Sequence, residues 1–317
     1  MTYVLLVVGF ALLIKGADWF VDGASQIAKI LRISPLLIGL TIVAFGTSSP
    51  EATVSILAAL DGNAEVSLGN VIGSNIFNIT LVVGITALLN PLKVESETIR
   101  KEIPFTLLGS TVLLVLISDM FLQGLTENLL TRSDGLIFLL IFSIFMYYIF
   151  EVARNNRETI AAENEKEAPK WGKNSILTFV GLAAIIFGGE LVVRNSTEIA
   201  VSLGMSQTLV GLTIVAIGTS LPELVTSVMA AIKKQSEIAL GNIVGSNIFN
   251  IFFVLGTSSL IIPLPVDSRV FVDIGLMLFL TVVLLIFSRT NYRIGKIEGS
   301  FMAVAYVVYL IFIILRN

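Results

Sequence analysis

Residues 38–51 read IGLTIVAFGTSSPE, and residues 210–223 read VGLTIVAIGTSLPE. Residues 68–79, LGNVIGSNIFNI, return at 240–251 as LGNIVGSNIFNI. Both alignments share one offset of 172 positions, and Gly16 and Gly188 fit it as well. The chain is an internal duplication, so its fold must satisfy the same pattern twice. Each copy also sets a glutamate beside a proline inside a run that is otherwise apolar. Any fold for this chain has to give both glutamates a reason to be there.

A chain that is 55% hydrophobic and 14% charged has the composition of a polytopic membrane protein. Apolar runs and turn signals mark helices near 3–28, 35–60, 66–90, 103–118 and 133–152, then 174–202, 206–232, 238–262, 270–288 and 298–315. A hydrocarbon core of ~30 Å takes roughly 20 helical residues to cross. No basic residue precedes the first run, so it reads as a span and not as a cleaved signal. The expectation is an all-α membrane protein of ten transmembrane helices, with five in 1–152 and five in 174–317. The mixed-sign stretch 153–173 is a linker too short for a folded domain.

Five is odd, so the second copy must enter the membrane the opposite way round, which gives two inverted five-helix repeats. The distribution of basic residues agrees. With the N-terminus outside, cytoplasmic segments hold Lys29, Arg32, Lys93, Arg100, Lys101, the basic residues of the linker, Lys233, Lys234, Arg289, Arg293 and Lys296. External segments hold only Arg132, Arg269 and Arg316, while Lys15 and Arg194 fall within or near spans. The positive-inside rule therefore puts both termini outside and the central linker in the cytoplasm of a plasma-membrane protein.

Inverted repeats with broken helices are the architecture of secondary transporters, with the substrate site near the midplane. The motif chemistry fits. Pro50 and Pro222 have no N–H, so the Gly46 and Gly218 carbonyls lose their helical partners and become available as cation ligands. Thr47 and Ser48 lie one turn before Glu51 and on its face, as Thr219 and Ser220 do for Glu223. Ser55 and Ser227 extend those stripes. Asn70, Ser74 and Asn78 recur every four residues on one face, and Asn242, Ser246 and Asn250 repeat them. Together these residues make a cage of carboxylate, amide, hydroxyl and carbonyl oxygens.

Calcium takes six to eight such oxygens in flexible geometry, and two carboxylates balance one divalent ion. Sodium can use overlapping subsets. Magnesium fits less well, because it keeps its waters and demands near-octahedral geometry. The chain has no Cys and no His, so disulfides and the usual zinc or copper ligands are excluded. No basic face suggests nucleic acid.

Other readings compete at single positions. Ser, Thr and Asn in spans often hydrogen-bond helices together, and Gly69/Gly73 and Gly241/Gly245 have the spacing of close helix packing. Asp18 and Glu190 match at the same offset but lie near helix ends with Lys15, Asp22 and Arg194, where an interfacial role is expected. Asp61 and Glu65 sit in a short external turn with no basic residue. Glu51 and Glu223 differ from all of these, because an ionisable residue at the bilayer centre is by default functional.

GTSSPE and GTSLPE, each followed by GNVIGSNIFN or GNIVGSNIFN, resemble the two α-repeats of the calcium/cation antiporter superfamily, in particular the sodium/calcium exchangers and their prokaryotic relatives. The resemblance spans nearly the whole chain. It implies ten helices in inverted halves and alternating access by sliding of the first and sixth helices. Carried over by position, it implies that Glu51 and Glu223 share a calcium ion and that Thr47 and Thr219 add backbone carbonyls. Ser48, Ser220, Ser74 and Ser246, with the backbone at Ala44 and Ala216, would line flanking sodium sites. Asn78 and Asn250 would line the centre. Many relatives, including the potassium-dependent ones, carry aspartate where this chain has Asn250, which argues against potassium co-transport. The GNxxE-type motif of proton/calcium exchangers is absent, and the linker has no room for a large regulatory domain.

The leading expectation is an antiporter that exchanges calcium for sodium. The alternative is calcium/proton exchange at the same glutamates, because two carboxylates close together resist carrying both charges and protons compete with calcium. A channel usually needs an oligomer around a shared pore, whereas one copy of this chain suffices to build the site. No nucleophile–base pair suggests an enzyme. The expected partners are metal cations and membrane lipid, with no resident cofactor and no required protein partner.

Overall fold

The computed structural model describes residues 1–95, 98–160, 171–205, 216–290 and 292–316. The helices are α1 (Thr2–Leu31), α2 (Pro35–Thr47), α3 (Ser49–Leu60), α4 (Val66–Leu89), α5 (Ile103–Leu116), the short α6 (Asp119–Gln123), α7 (Arg132–Ile160), α8 (Trp171–Ser202), the single turn α9 (Ala216–Thr219), α10 (Leu221–Ile232), α11 (Ser236–Ile261), α12 (Val270–Arg289) and α13 (Lys296–Arg316). Among the described residues, seven helices are long and apolar enough to cross a membrane, or eight if α2 and α3 count as one bent span. The fold is an all-α, multi-span membrane fold.

Burial separates a centre from a lipid-facing shell. In α11, 94% of the apolar window is buried, against 17% in α7. α7 buries Phe138, Phe145 and Ile149 on one side and exposes Leu136, Leu140, Ile144 and Tyr147 on the other. Both faces are apolar because one meets protein and the other meets lipid. α4 and α11 carry the repeated GNxxGSNIFN segments and form the centre.

The expected helix 35–60 is broken. Ser34 caps α2 through its hydroxyl, and Pro35 opens the helix, where its missing N–H costs nothing. The path then breaks at Ser48, and α3 leaves at 49° to α2. The expected helix 206–232 is described only from Ala216, and residues 206–215 lie outside the described residues. α7 runs to Ile160 and α8 starts at Trp171, so both helices enter the stretch read as linker, of which 161–170 lie outside the described residues. Hydrophobic periodicity carries no warning of the π turns at Gly39–Val43, Asn78–Val82, Thr98–Glu102 and Phe249–Leu255.

The long helices α1 and α8 pair antiparallel along their length through glycines. A β-carbon on Gly16 would stand 2.8 Å from the Gly181 carbonyl oxygen, and one on Gly188 would stand 2.8 Å from that of Gly9. Gly9 and Gly181 are repeat-related, as are Gly16 and Gly188, so the contact is reciprocal. Gly241 and Gly245 pack as their spacing implied: β-carbons there would meet the Leu36 and Leu40 carbonyls of α2 at 2.6 Å. The repeat-related neighbours of Gly69 and Gly73 fall on residues 206–215.

Four two-residue strands tie the loops together. β1 (Leu92–Lys93) pairs with β4 (Arg293–Ile294), and β2 (Leu129–Leu130) pairs with β3 (Leu264–Pro265), both antiparallel. β1 and β3 are repeat-related, and each pairs with a loop of the other half.

Candidate cation-binding site

Each glutamate sits just past a break. Ser48 and Ser220 are the non-helical junction residues, and Pro50 and Pro222 occupy the first turns of α3 and α10. Glu51 and Glu223 lie in those same first turns, where the positive end of the helix dipole favours a carboxylate. Both are completely buried.

The bend sends the junction hydroxyls across the molecule. Ser48 Oγ donates to Glu223 Oε1 at 2.7 Å, and Ser220 Oγ donates to Glu51 Oε1 at 2.9 Å. Each half thus holds the other half's carboxylate. This corrects the expectation that Ser48 and Ser220 share a face with the glutamate of their own motif. A straight helix would place them so, but the break redirects them. The threonines cross as well: Thr47 Oγ1 donates to Asn242 Oδ1 at 3.0 Å, and Thr219 Oγ1 to Asn70 Oδ1 at 3.4 Å. Asn70 Nδ2 donates back to the Glu51 carbonyl at 3.2 Å and to Ser55 Oγ at 2.9 Å, and Asn242 Nδ2 does the same to Glu223 at 3.3 Å and Ser227 at 2.9 Å. The asparagines therefore brace the glutamate backbone, and Ser55 and Ser227 face them.

The halves are not equivalent everywhere. Ser74 Oγ also donates to Glu51 Oε1, at 3.3 Å, and lies 2.9 Å from Ser220 Oγ. Asn250 Nδ2 donates to Ser74 Oγ at 3.3 Å. Its counterpart Asn78 donates instead to Asn247 Oδ1, at 3.2 Å. Glu51 is thus held by two serine hydroxyls, whereas Glu223 leans on that of Ser48.

Several buried oxygens have no hydrogen-bond partner among the described residues: Glu51 Oε2, Glu223 Oε2, Asn78 Oδ1, Asn250 Oδ1 and Ser246 Oγ. Buried polar atoms are almost always satisfied, so this concentration of acceptors calls for a positive partner. Oxygen donors of mixed type with two carboxylates suit calcium or sodium. Among the described residues no cluster of three or more His, Cys, Asp or Glu gathers, so the two glutamates are the charge of the site.

The other expected residues fall as follows. The Ala44 carbonyl accepts the Ser48 N–H at 2.9 Å and lies 3.3 Å from the Thr47 hydroxyl. Ala216 opens α9, beside the break at Ser220. Asp18 pairs with Lys15 and with Lys233 of the other half. Sequence reasoning missed Asn75 and Asn247. Their amides donate reciprocally to each other's backbone carbonyls at 3.4 Å, at positions related by the repeat offset. Their match at the repeat offset was available as a signal, but they stand one residue off the four-residue stripes.

The family model described as sodium/calcium exchanger protein matches residues 1–151 and 173–315. The putative antiporter CaxA of Alkalimonas amylolytica is 41% identical over 96% of this chain and 96% of its own length. The sodium/calcium exchanger MaX1 of Methanosarcina acetivorans is 34% identical over 98% of this chain and 97% of its own. A solved structure of the sodium-calcium exchanger NCX_Mj, soaked with sodium and strontium, superposes with a TM-score of 0.83 at 32% identity, covering 97% of this chain and 96% of that one.

Proposed function

The chain belongs to the sodium/calcium exchanger family, and from that premise we propose that it is a secondary active antiporter exchanging calcium for sodium by alternating access. The observation that carries this reading is the set of partnerless buried oxygens around two carboxylates that are held crosswise by the opposite halves. Glu51 and Glu223 balance one calcium ion, with Thr47 and Thr219 supplying backbone oxygen beside it. Sodium ions bind in its place at overlapping oxygens of Ser48, Ser74, Ser220 and Ser246, with the backbone at Ala44 and Ala216. Asn78 and Asn250 line the centre. A shared set of ligands cannot hold both loads at once, and that exclusion makes the transport an exchange.

Ten crossings fit the chain if α2–α3, α5 with its preceding π turn, and α9–α10 each count as one. The units are then 1–152 and 174–317, inverted across the membrane, with both termini outside and 153–173 in the cytoplasm. A monomer suffices, since one chain supplies both halves of the site.

The test is radioactive calcium uptake into sodium-loaded proteoliposomes diluted into sodium-free buffer, with pH clamped by an ionophore. Uptake should collapse when choline replaces internal sodium. Uptake driven by a pH gradient without sodium would overturn sodium coupling in favour of protons at the same carboxylates.

A further inference from the structure

The reciprocity of the two halves also fails in the packing of the long helices. α1 packs closely against α10, yet α8, its counterpart, makes no comparable packing against α3. The α1–α8 pair therefore packs unequally on the two halves: both helices touch α2, but close packing on a glutamate-bearing helix is made by α1 on α10. An ion-pair cluster marks the contact. Lys233, just past the end of α10, places its Nζ 2.7 Å from Asp18 Oδ1, 2.6 Å from Asp22 Oδ1 and 2.8 Å from the Asp18 carbonyl oxygen. Its side chain is largely buried. One ammonium thus fastens two acids of α1 to the core.

The repeat offset maps this cluster onto a second one. Asp18 corresponds to Glu190, Asp22 to Arg194, and Lys233 to Asp61. The loops correspond too: the next positions, Lys234 and Gly62, both have positive φ, at 59° and 75°. In the second trio the cation has moved from the core loop to the long helix, but the sum is unchanged, with two acids about one base. Attraction between helix and core is preserved with the signs exchanged. Glu190, Arg194 and Asp61 are exposed here, and among the described residues no ion pair joins them.

We infer that the two trios are alternating latches: Lys233 holds α1 to α10 in the arrangement seen here, and Arg194 holds α8 to Asp61 when the pair leans the other way. The inference rests on the exchanger reading above, because an inverted duplication visits both arrangements only if it alternates access. With both termini outside, Lys233 lies on the cytoplasmic side, so its latch fastens that side of the α1–α8 pair. A latch must be weak enough to release. Asp22 at the end of α1 is about half exposed, so water screens its pair with Lys233, and such screened pairs contribute about 0.2–1 kcal/mol.

The chain has no cysteine, so engineered pairs report without background. The full-length protein in proteoliposomes would carry either Asp22→Cys with Lys233→Cys, or Asp61→Cys with Arg194→Cys, and be treated with a short thiol-reactive cross-linker. Both pairs should cross-link. Adding Lys233→Ala to the second pair should raise its cross-linked fraction relative to the uncross-linked by about 1.4- to fivefold, the range expected for one such pair. Asp18→Asn with Asp22→Asn, which removes the same latch from the other side, should raise it equally and guards against a folding defect in either variant. The idea is overturned if the second pair never cross-links while the first does, or if neither release variant moves it. Cross-linking is read without any ion gradient, so a wild-type protein that failed to exchange sodium for calcium would refute the exchanger reading separately.

Discussion

Replacing Glu51 with Gln tests the site most directly, because shape is kept while charge is lost. Glu51 Oε1 accepts from Ser220 and Ser74 at 2.9 and 3.3 Å, whereas Oε2 has no partner. A glutamine in the same rotamer keeps its carbonyl towards those two hydroxyls. Its amide NH2 then occupies the place of Oε2 and turns an acceptor aimed at the ion into a donor. Two unit charges 4 Å apart attract by about 4 kcal/mol at an effective dielectric of 20, and a divalent ion doubles that gross figure. Desolvation offsets much of it, and breaking one partner of a buried pair costs about 3–5 kcal/mol in practice. Calcium should therefore bind about two to four decades more weakly. The assay is calcium uptake into sodium-loaded proteoliposomes, paired with thermal unfolding in detergent to show that the fold survives. Wild-type uptake by both Glu51→Gln and Glu223→Gln would refute the reasoning.

Three further outcomes are expected. Ser48→Ala should weaken calcium transport more than Ser74→Ala, because Glu51 keeps Ser220 when Ser74 is lost, whereas Ser48 is the serine hydroxyl on Glu223; a lost bond to a charged group costs about 1.5–3 kcal/mol, and calcium titration of uptake separates the two variants. Gly16→Val places a β-carbon against the Gly181 carbonyl and should lower thermal stability by about 1–3 kcal/mol, read by unfolding in detergent. Asn247→Ala removes the donor to Asn75 and the acceptor of Asn78 and should cost about 1–3 kcal/mol of stability by the same measurement, with calcium uptake falling in parallel.

The residues that carry the charge are legible in the amino-acid sequence, and the way they meet is not. A glutamate beside a proline in an apolar run, repeated at one offset, marks both the acid and the break. Local periodicity then fails at the break itself. It places Ser48 beside Glu51, but the 49° bend carries its hydroxyl to Glu223. Asn75 is hidden for a related reason: the stripe Asn70–Ser74–Asn78 assumes one regular helix face, and the contact with the other repeat falls on a residue just off it. Pairing of Asp18 with Lys233 spans 215 positions, a partner that no local rule can reach.

The crosswise bonding also bears on how the chain is made. Ser220, which steadies Glu51, lies 169 residues further along, and Asn247, which meets Asn75, lies 172 further. During synthesis the first half therefore enters the bilayer with a buried acid and a row of amides whose partners have not yet been translated. An isolated first half is a poor folding unit, and assembly of the centre has to wait for the second. By the same logic, two polypeptides severed within residues 161–170 carry between them every contact of the centre described here, so co-expressed halves should find each other where neither alone persists.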